Sequence, residues 1–491
     1  MGNEEKEKGL NENLSPITHH EEIVAKNELK IDEIKSNSHK NKISYEKPLD
    51  EYKSDLELFN ANQIDEIRKK YSTPYKFSSK FLNDFFSFVF KHRKSNFRQI
   101  EIKGLHNISA LLAFMGQPIM PFYLLDVSDS STGKSSNNNF QNNIIFEIIS
   151  SKLEQINKPT ENDKDKNMRF IIDTKVSIEA IFEVLFEGSK TLYITLPEAA
   201  GVLNSANPMY ADVINFLTDK HGLSTLVTPT FKTNMKKMPS EFTDVKLYFY
   251  GDTNIQQLGD DSKLIKENLG GIVNRVVFVY TKNLMPYESA LTLPYDNEEA
   301  QEFRKYICDL ANFYSCFNEN KNFCKINMNS INDNEIYQSY AKPLFYKQQE
   351  EGVEFKELYN RADYNLLAII QVLHYVKEYE CYTQDNDYKF NENVDDETIK
   401  EAITFFDYYI QNIQLFINEL NKNILDITKA RNDILNFIAK QNKEVKIKDI
   451  LHIFHKKYDL NADTVRNILD GYIEFKPPIR GNKPSTISRI L

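Results

Sequence analysis

Cysteine, glycine and proline are all scarce in this chain of 491 residues. It has only 4 cysteines, which argues against a disulfide scaffold and fits a reducing compartment. The 15 glycines and 16 prolines exclude collagen-like and low-complexity fibrous proteins. Hydrophobic residues make up 41 % and charged residues 27 % of the chain. This balance excludes a wholly disordered protein, and the length is sufficient for several domains.

The chain also lacks an unbroken apolar run long enough for a membrane span. Residues 107–125 carry no charge, but Gly116, Pro118 and Pro121 interrupt them, and prolines break a spanning helix. We therefore expect a buried helix near residues 108–115, a turn, and a buried strand at 122–127. The first residues are charged and contain no apolar segment typical of a signal peptide. The prediction is a cytoplasmic protein with no membrane partner.

The hydrophobic pattern divides the chain into five parts. Between residues 121 and 297, short apolar runs of strand length alternate with helical patterns. This alternation predicts an α/β fold with a mostly parallel sheet. The predicted parts are a disordered polar tail (1–50), a helical lead-in (51–120), the α/β core (121–297), a helical domain (298–423) and a basic C-terminal module (424–491).

A candidate phosphate-binding loop follows the strand predicted at 122–127. Residues 128–135 read SDSSTGKS, which is the P-loop pattern GxxxxGK[ST] with Ser128 in place of the first glycine. Backbone N–H groups at the start of a helix cradle phosphates, the lysine neutralises phosphate charge, and the last hydroxyl binds Mg²⁺. The predicted ligands of ATP are Ser128, Ser131, Thr132, Gly133, Lys134, Ser135 and Ser136, with Ser135 on Mg²⁺. The open alternative is a polar turn before a helix.

Other strand ends supply candidate catalytic groups. In RecA-like P-loop enzymes, a strand ending in Asp-Glu holds the Mg²⁺-bound water and activates the attacking water. The strand at 192–196 ends in Pro197-Glu198, so Glu198 is the candidate base while proline stands where an aspartate is expected. Asp252 ends the next strand and is a candidate sensor of phosphate. Arg275 is a candidate for reaching a neighbouring subunit's phosphate, with a salt-bridged surface arginine as the alternative.

These pieces together resemble a large bacterial and phage family of P-loop proteins. Its members carry a domain of unknown function and are described as primase-helicase-like or mobile-element replication proteins. The resemblance rests on PFYLLDVSDSSTGKS, IIDTKVSIEAIFEVLFEG, LYITLPEAAGVLNS, YGDTNIQQL, GGIVNR, EFKELYNRADYNLLAIIQVLHYV and DDETIKEAITFFDYYIQNIQLF. It extends in order over about residues 70–425. Ser128 and Pro197 depart from the family's pattern, and no primase module is present.

The resemblance implies an ATPase core related to RecA-like or superfamily III helicase engines. Such engines act on DNA and some assemble as rings, so it also implies DNA as a partner and a homo-oligomer. Pro197 replaces the acidic residue that would hold the Mg²⁺-bound water. This departure argues against rapid hydrolysis of ATP.

The C-terminal module reverses the charge of the rest of the chain. The net charge of −10 argues against nucleic acid as a partner. Residues 421–491, however, contain 14 Lys and Arg against 8 Asp and Glu. Three helical patterns and a basic ribbon predict a winged helix-turn-helix, with protein docking as the alternative. The predicted DNA contacts are Lys456, Lys457, Asn461, Thr464, Arg466, Asn467, Lys476, Arg480 and Lys483.

The sequence therefore predicts a helicase-like P-loop ATPase of mobile-element type that binds ATP and Mg²⁺ and acts on DNA. A second hypothesis belongs to another class of protein. The chain could be a catalytically degenerate scaffold that binds DNA or protein, with Pro197 as the mark of lost catalysis. A virulence or defence accessory is a third, weaker alternative.

Overall fold

A computed structural model describes most of the chain between residues 71 and 490. Its ranges are 71–156 (without 72, 94 and 129–131), 170–173, 177–186, 190–199 (without 198), 208–222, 225–227, 242–254, 275–281, 298–319, 324–347, 359, 361–441 (without 386), 445–475 (without 459, 461, 470 and 471) and 486–490. The tail predicted to be disordered, 1–50, lies outside these ranges.

An open parallel sheet forms the centre of the fold, which confirms the predicted α/β class. Five strands run parallel in the order β2-β3-β5-β1-β6, and β4 pairs antiparallel with β5. Their bounds are β1 Tyr123–Ser128, β2 Ile171–Asp173, β3 Thr191–Leu196, β4 Thr225–Val227, β5 Phe242–Thr253 and β6 Val276–Thr281. All residues of β1, β3 and β6 are buried, as expected for parallel strands that are covered on both faces.

The five parallel strands were predicted to within a few residues from the apolar runs at 122–127, 170–172, 192–196, 245–250 and 276–280. β5 is longer than expected, at 12 residues. The polar side chains in its first half interrupt the apolar pattern, so the sequence predicted only residues 245–250 of this strand. The three-residue strand β4 was not predicted, because a segment this short has no resolvable periodicity. The helical pattern expected near 256–269 lies outside the described residues.

Helices precede, separate and follow the strands along the chain. Those before and between the strands are α1 Lys80–His92, α2 Phe97–Phe114, α3 Lys134–Ile156, α4 Ile178–Phe186 and α5 Pro208–Asp219. Those after the sheet are α6 Glu298–Glu319, α7 Asn329–Asn332, α8 Glu335–Lys347, α9 Ala362–Gln384 and α10 Asp396–Ala439. One apolar core joins residues 71–416, so the lead-in and the later helices pack on the same core as the sheet.

Helix α2 is the most buried helix among those described. Asn96 caps it by accepting a hydrogen bond from the Arg98 N–H at 3.0 Å, and every residue from Arg98 to Phe114 is buried. The burial includes charged groups. Arg98 forms an ion pair with Glu101 at 2.5 Å, and burial raises the pKa of Glu101 to about 7. The sequence predicted only the uncharged second half of this helix as buried.

The C-terminal region has a second, smaller apolar core, formed by residues 434–473. Its elements are β7 Val445–Lys446, α11 Ile447–Tyr458, α12 Ala462–Leu469, β8 Ile473–Phe475 and β9 Thr486–Ile490. The strands form an antiparallel sheet in the order β7-β9-β8. The border predicted at residues 423 and 424 falls inside α10, a helix of 44 residues that contributes to both cores.

The structure also bears on membrane-spanning helices and on disulfides. Within the described ranges, no helix is both long and apolar enough to cross a membrane. Three cysteines in the described part of the chain are free thiols: Cys308, Cys324 and Cys381. The apolar stretch 107–125 is divided among the end of α2, a turn with Gly116 at φ 86°, and the first residues of β1.

Candidate functional site

The candidate loop lies at the carboxyl edge of the sheet, between β1 and α3. β1 ends at Ser128 and α3 begins at Lys134. Gly133, immediately before the helix, has φ 79°, a left-handed conformation that favours glycine. Ser135 and Ser136 are exposed at the start of α3, and Thr132 is buried. Ser131 lies outside the described residues.

Lys134 extends back over the ends of two neighbouring strands. Its Nζ donates to the Ser128 carbonyl of β1 at 2.9 Å and to the Thr253 carbonyl of β5 at 2.6 Å. The amine therefore lies at the carboxyl edge, between the two strands, next to the N-terminus of a 23-residue helix. A cation and free backbone N–H groups at one helix start are the elements that bind a phosphate.

Helix α2 holds the loop from behind. The Ser95 hydroxyl, just before the helix, donates to the Thr132 carbonyl at 2.9 Å and also to the Gln99 side-chain oxygen. The Gln99 amide donates to the Ser128 hydroxyl at 3.1 Å and to the Asp126 carboxylate. Two side chains at the start of α2 thus hold both ends of the loop.

Ser128, which stands where the P-loop pattern has its first glycine, ends β1 and is buried against α2. Its side chain is fully buried, and its hydroxyl donates to Asp126 while accepting from Gln99. The hydroxyl is therefore part of the contact between β1 and α2. A buried donor that has a partner costs little, whereas an unpaired one would destabilise the fold.

A buried charge cluster lies directly behind the loop. Asp126 of β1 and Asp252 of β5 are register partners on adjacent strands, so their side chains lie on the same face of the sheet. Both are buried, and Lys103 of α2 lies close enough to interact with both carboxylates. Its Nζ donates to the Tyr193 hydroxyl at 2.5 Å and lies 3.7 Å from the centre of the Tyr250 ring.

The pKa values in this cluster are set mainly by burial. Burial lowers the pKa of Lys103 well below its usual value, and Asp252 and Asp126 oppose that shift. Burial raises the pKa of Asp126 to about 6, while hydrogen bonds from Ser128 and Gln99 oppose the increase. A lysine close to two carboxylates reduces the cost of burying all three groups, because their charged forms attract each other.

Asp252 therefore belongs to the layer behind the loop. It precedes Thr253, whose carbonyl contacts Lys134. Gln99, Lys103 and Asp126 were not singled out in the sequence. A signal was present, since a carboxylate inside an apolar strand, two residues before the candidate loop, requires a buried polar partner.

The candidate base lies outside the described residues, but its strand is described. β3 ends at Leu196, which pairs with Gly251 of β5, and Pro197 follows as a turn. β5 separates β3 from β1. At roughly 4.8 Å per strand, the end of β3 is about 10 Å from the end of β1 along the same edge. The candidate base, Glu198, follows Pro197 in the chain and is not among the described residues.

Arg275 is at the opposite edge of the sheet. It immediately precedes β6, and Val276 pairs with Tyr123 at the start of β1. The length of β1 therefore separates Arg275 from the loop, about 17 Å at 3.3 Å per residue. The structure does not bring Arg275 together with Lys134 in one subunit. Action across a subunit boundary stays a prediction.

The predicted DNA contacts are only partly described. Lys457 donates to Asp433 of α10 at 2.8 Å, so its charge is paired within the chain. Arg466 lies half-buried on α12. Lys456 of α11 and Thr464 and Asn467 of α12 are placed only by their backbone. The remaining candidates lie outside the described residues: Asn461, Lys476, Arg480 and Lys483.

No group of three or more His, Cys, Asp or Glu residues in the described part of the chain is arranged to hold a metal ion. A Mg²⁺ that arrives with ATP does not need such a group, because phosphates and water supply most of its ligands. The exposed hydroxyl of Ser135 is the protein ligand that the P-loop pattern predicts. The sequence matches no protein-family model and no curated protein.

Proposed function

We propose that this chain is an ATP-binding, helicase-like ATPase of mobile-element type that acts on DNA. The observation that carries the proposal is the position of Lys134. It lies at the carboxyl edge with its amine across β1 and β5, and it opens a long helix immediately after a glycine with positive φ. The bound groups would be the phosphates of ATP, with Mg²⁺ on Ser135.

The strand order supports a ligand site at this position. From β1 the chain passes to β2 on one side of the sheet, and from β5 it passes to β6 on the other side. β1 and β5 are neighbours, and their connections leave in opposite directions, each crossing to the other strand's side. In open α/β sheets, ligands bind outside the carboxyl ends of the strands, where the direction of the connections changes. Lys134 joins the ends of these two strands.

Parallel open sheets of this kind are compatible with a RecA-like core, which the resemblance to primase-helicase-like proteins also implies. In that arrangement Glu198 would activate water, and the neighbouring subunit's Arg275 would approach the phosphates of a ring. Asp252 would act indirectly, through the buried cluster that supports β1 and β5.

ATP binding can be tested with a thermal-shift titration, with and without Mg²⁺, beside a hydrolysis assay in the presence of DNA. We expect ATP to raise the melting temperature of the wild type clearly more than that of Lys134→Ala. Lys305→Ala, which removes an exposed lysine from α6, is the matched control and should behave as wild type. An unchanged response of Lys134→Ala would contradict the proposal.

The same experiment decides between an engine and a scaffold. Pro197, where an acidic residue is expected, favours the degenerate scaffold. Binding of ATP without turnover would support that second hypothesis. Turnover that Glu198→Gln abolishes, with binding retained, would support the engine.

The C-terminal elements support a winged helix as the DNA-binding part. Their order from the end of α10 is helix, strand, helix, helix, strand, strand, with the three strands in one antiparallel sheet. The segment between β8 and β9 in the sequence carries Lys476, Arg480 and Lys483, and these side chains would contact DNA phosphates.

The test replaces Lys476, Arg480 and Lys483 together by alanine. The affinity of this triple variant for DNA is then measured at increasing salt concentrations. We expect the variant to lose affinity and to show a shallower dependence on salt, because each lost phosphate contact reduces the slope by about one. The control places alanine at three exposed lysines elsewhere, Lys80, Lys190 and Lys305. Equal affinity of the two triple variants would contradict the proposal.

A further inference from the structure

A second polar cluster lies at the amino edge of the sheet, on the opposite side from the loop. His221 follows α5, and its ring packs against Tyr123 at the start of β1 and against Tyr364 in the first turn of α9. Both ring centres are 4.6 Å from the histidine ring. His221 is only 8 % exposed, so its nitrogens must find partners in the protein or in a ligand.

These polar groups are not satisfied by the described part of the chain. Neither Nδ1 nor Nε2 of His221 has a hydrogen-bond partner there, and the same is true of the Tyr364 hydroxyl. An unpaired buried polar group costs about 1–3 kcal/mol. Clusters of such groups in a native structure indicate a place that a ligand, an ion or water completes.

The surroundings of His221 are positively charged. Arg361 and Arg275 lie close enough to interact with the histidine and with each other. Burial, together with the two guanidinium groups, lowers the pKa of His221 to about 3. The nearby acids are Asp219, which interacts with Arg275, and Asp363, whose carboxylate accepts the Tyr364 N–H at 2.8 Å.

The backbone of Arg361 is held in an unusual conformation. Its φ is 60° and its ψ is 19°, a left-handed geometry that is uncommon for a residue with a side chain. Arg361 is the N-cap of the 23-residue helix α9 and makes no side-chain cap. This left-handed residue thus lies at the positive end of a helix dipole, where a bound anion is stabilised.

We propose that Arg361, Arg275, His221 and Tyr364, with the start of α9, form a binding site for an oxyanion of the phosphate class. The two guanidinium groups match the geometry of phosphate oxygens. A neutral imidazole and a tyrosine hydroxyl each donate one further hydrogen bond. The site lies about 17 Å from the loop along β1, and it does not depend on the proposed ATP site.

The test uses the full chain with isotope-labelled histidine and follows the His221 resonance by NMR. The background variant is Lys134→Ala, which disables the proposed loop site. We expect inorganic pyrophosphate to shift the His221 resonance saturably and to raise its pKa, because a bound anion stabilises the protonated ring. A shift that requires Lys134 would overturn the proposal, since the anion would then be bound at the loop.

Two variants should remove the site without weakening the fold. Arg361→Gly deletes the guanidinium group and suits the left-handed backbone. His221→Phe keeps the aromatic contacts and removes both unpaired nitrogens. Each should weaken pyrophosphate binding at least tenfold without lowering the melting temperature. Binding to Arg361→Gly is followed on His221, and binding to His221→Phe is followed by calorimetry.

Arg304→Gln is the control for a lost positive charge, because Arg304 pairs with Glu147 far from the cluster in the sequence. It should bind pyrophosphate as the background variant does. Comparing inorganic phosphate with ATP distinguishes a free anion from a nucleotide as the source, and binding of either supports the site. The proposal fails if none of the three shifts His221, or if Arg361→Gly binds as tightly as Arg304→Gln.

Discussion

The two edges of the sheet use buried polar groups in opposite ways. At the carboxyl edge, Gln99, Asp126 and Ser128 bond to one another and hold the loop in place. At the amino edge, both nitrogens of His221 and the hydroxyl of Tyr364 are left without partners in the described part of the chain. The first arrangement preorganises a loop from behind, whereas the second leaves donors ready for a ligand.

The difference also appears in the charges. The carboxyl edge combines a buried lysine with two carboxylates, so opposite charges lie close together. The amino edge brings two arginines together beside a histidine whose pKa is lowered. Opposite charges that lie close together stabilise the fold in the absence of a ligand, whereas like charges that lie close together gain stability when an anion binds.

The largest expected effect comes from breaking the cluster of opposite charges. Lys103→Met should lower the free energy of unfolding by about 3–5 kcal/mol, because it removes a buried group that attracts both carboxylates and donates to Tyr193. Urea denaturation measures the change. Lys190→Met, at an exposed lysine, is the control and should cost less than about 1 kcal/mol. A loss below 1 kcal/mol for Lys103→Met would show that the cluster does not support the fold.

The second effect is a pH dependence at the amino edge. A histidine whose pKa falls from 6.5 to about 3 on folding gives full stability above pH 6.5 and loses it as the pH falls. Between pH 7 and pH 5 the loss is about 2 kcal/mol. The variant His221→Phe should lack this loss in urea denaturation at both pH values. Parallel curves for wild type and variant would contradict the burial of a neutral imidazole.

The third effect has the opposite sign and belongs to the carboxyl edge. Asp126, with a pKa raised to about 6, contributes stability that is present below its unfolded pKa and is lost as the pH rises through 6. Between pH 5 and pH 7 the loss is about 1 kcal/mol. Asp126→Asn should remove this slope, although the lost hydrogen-bond acceptor lowers stability at every pH. If the variant's stability depends on pH as steeply as that of the wild type, the pKa of the Asp126 carboxyl is not raised.

The smallest effect is a gain. Arg361→Gly should raise the free energy of unfolding by about 0.5 kcal/mol, since relief of the left-handed backbone exceeds the entropic cost of glycine. Asp244, also at φ 60°, is the matched comparison. Because aspartate tolerates this conformation better, Asp244→Gly should gain less. A clear loss of stability in Arg361→Gly would show that the guanidinium group itself holds the fold together.

The sequence predicted the strands well because burial on both faces makes them continuous apolar runs. It also predicted the loop, since its spacing is local. It did not show the role of α2, because Arg98, Glu101 and Lys103 resemble an exposed helical face until the sheet and α10 cover them. Long-range packing decides that burial, and no local pattern records it.

The position of Arg275 differs, because the sequence contained enough information to predict it. A residue that precedes a parallel strand lies at the edge opposite to one that follows it, and the sequence already placed Arg275 before its strand. Its separation from Lys134 could therefore have been predicted. His221 could not, because a lone histidine after a helix carries no signal of the tyrosines on both sides of it.

The central claim, that the carboxyl edge binds a nucleotide through Lys134, is tested most directly by calorimetric titration of ATP and Mg²⁺. The comparison is among the wild type, Lys134→Ala and Arg361→Gly. The account predicts that Lys134→Ala loses the ATP-binding event that Arg361→Gly retains. Wild-type affinity in Lys134→Ala, with loss in Arg361→Gly, would place the nucleotide at the amino edge and contradict the claim.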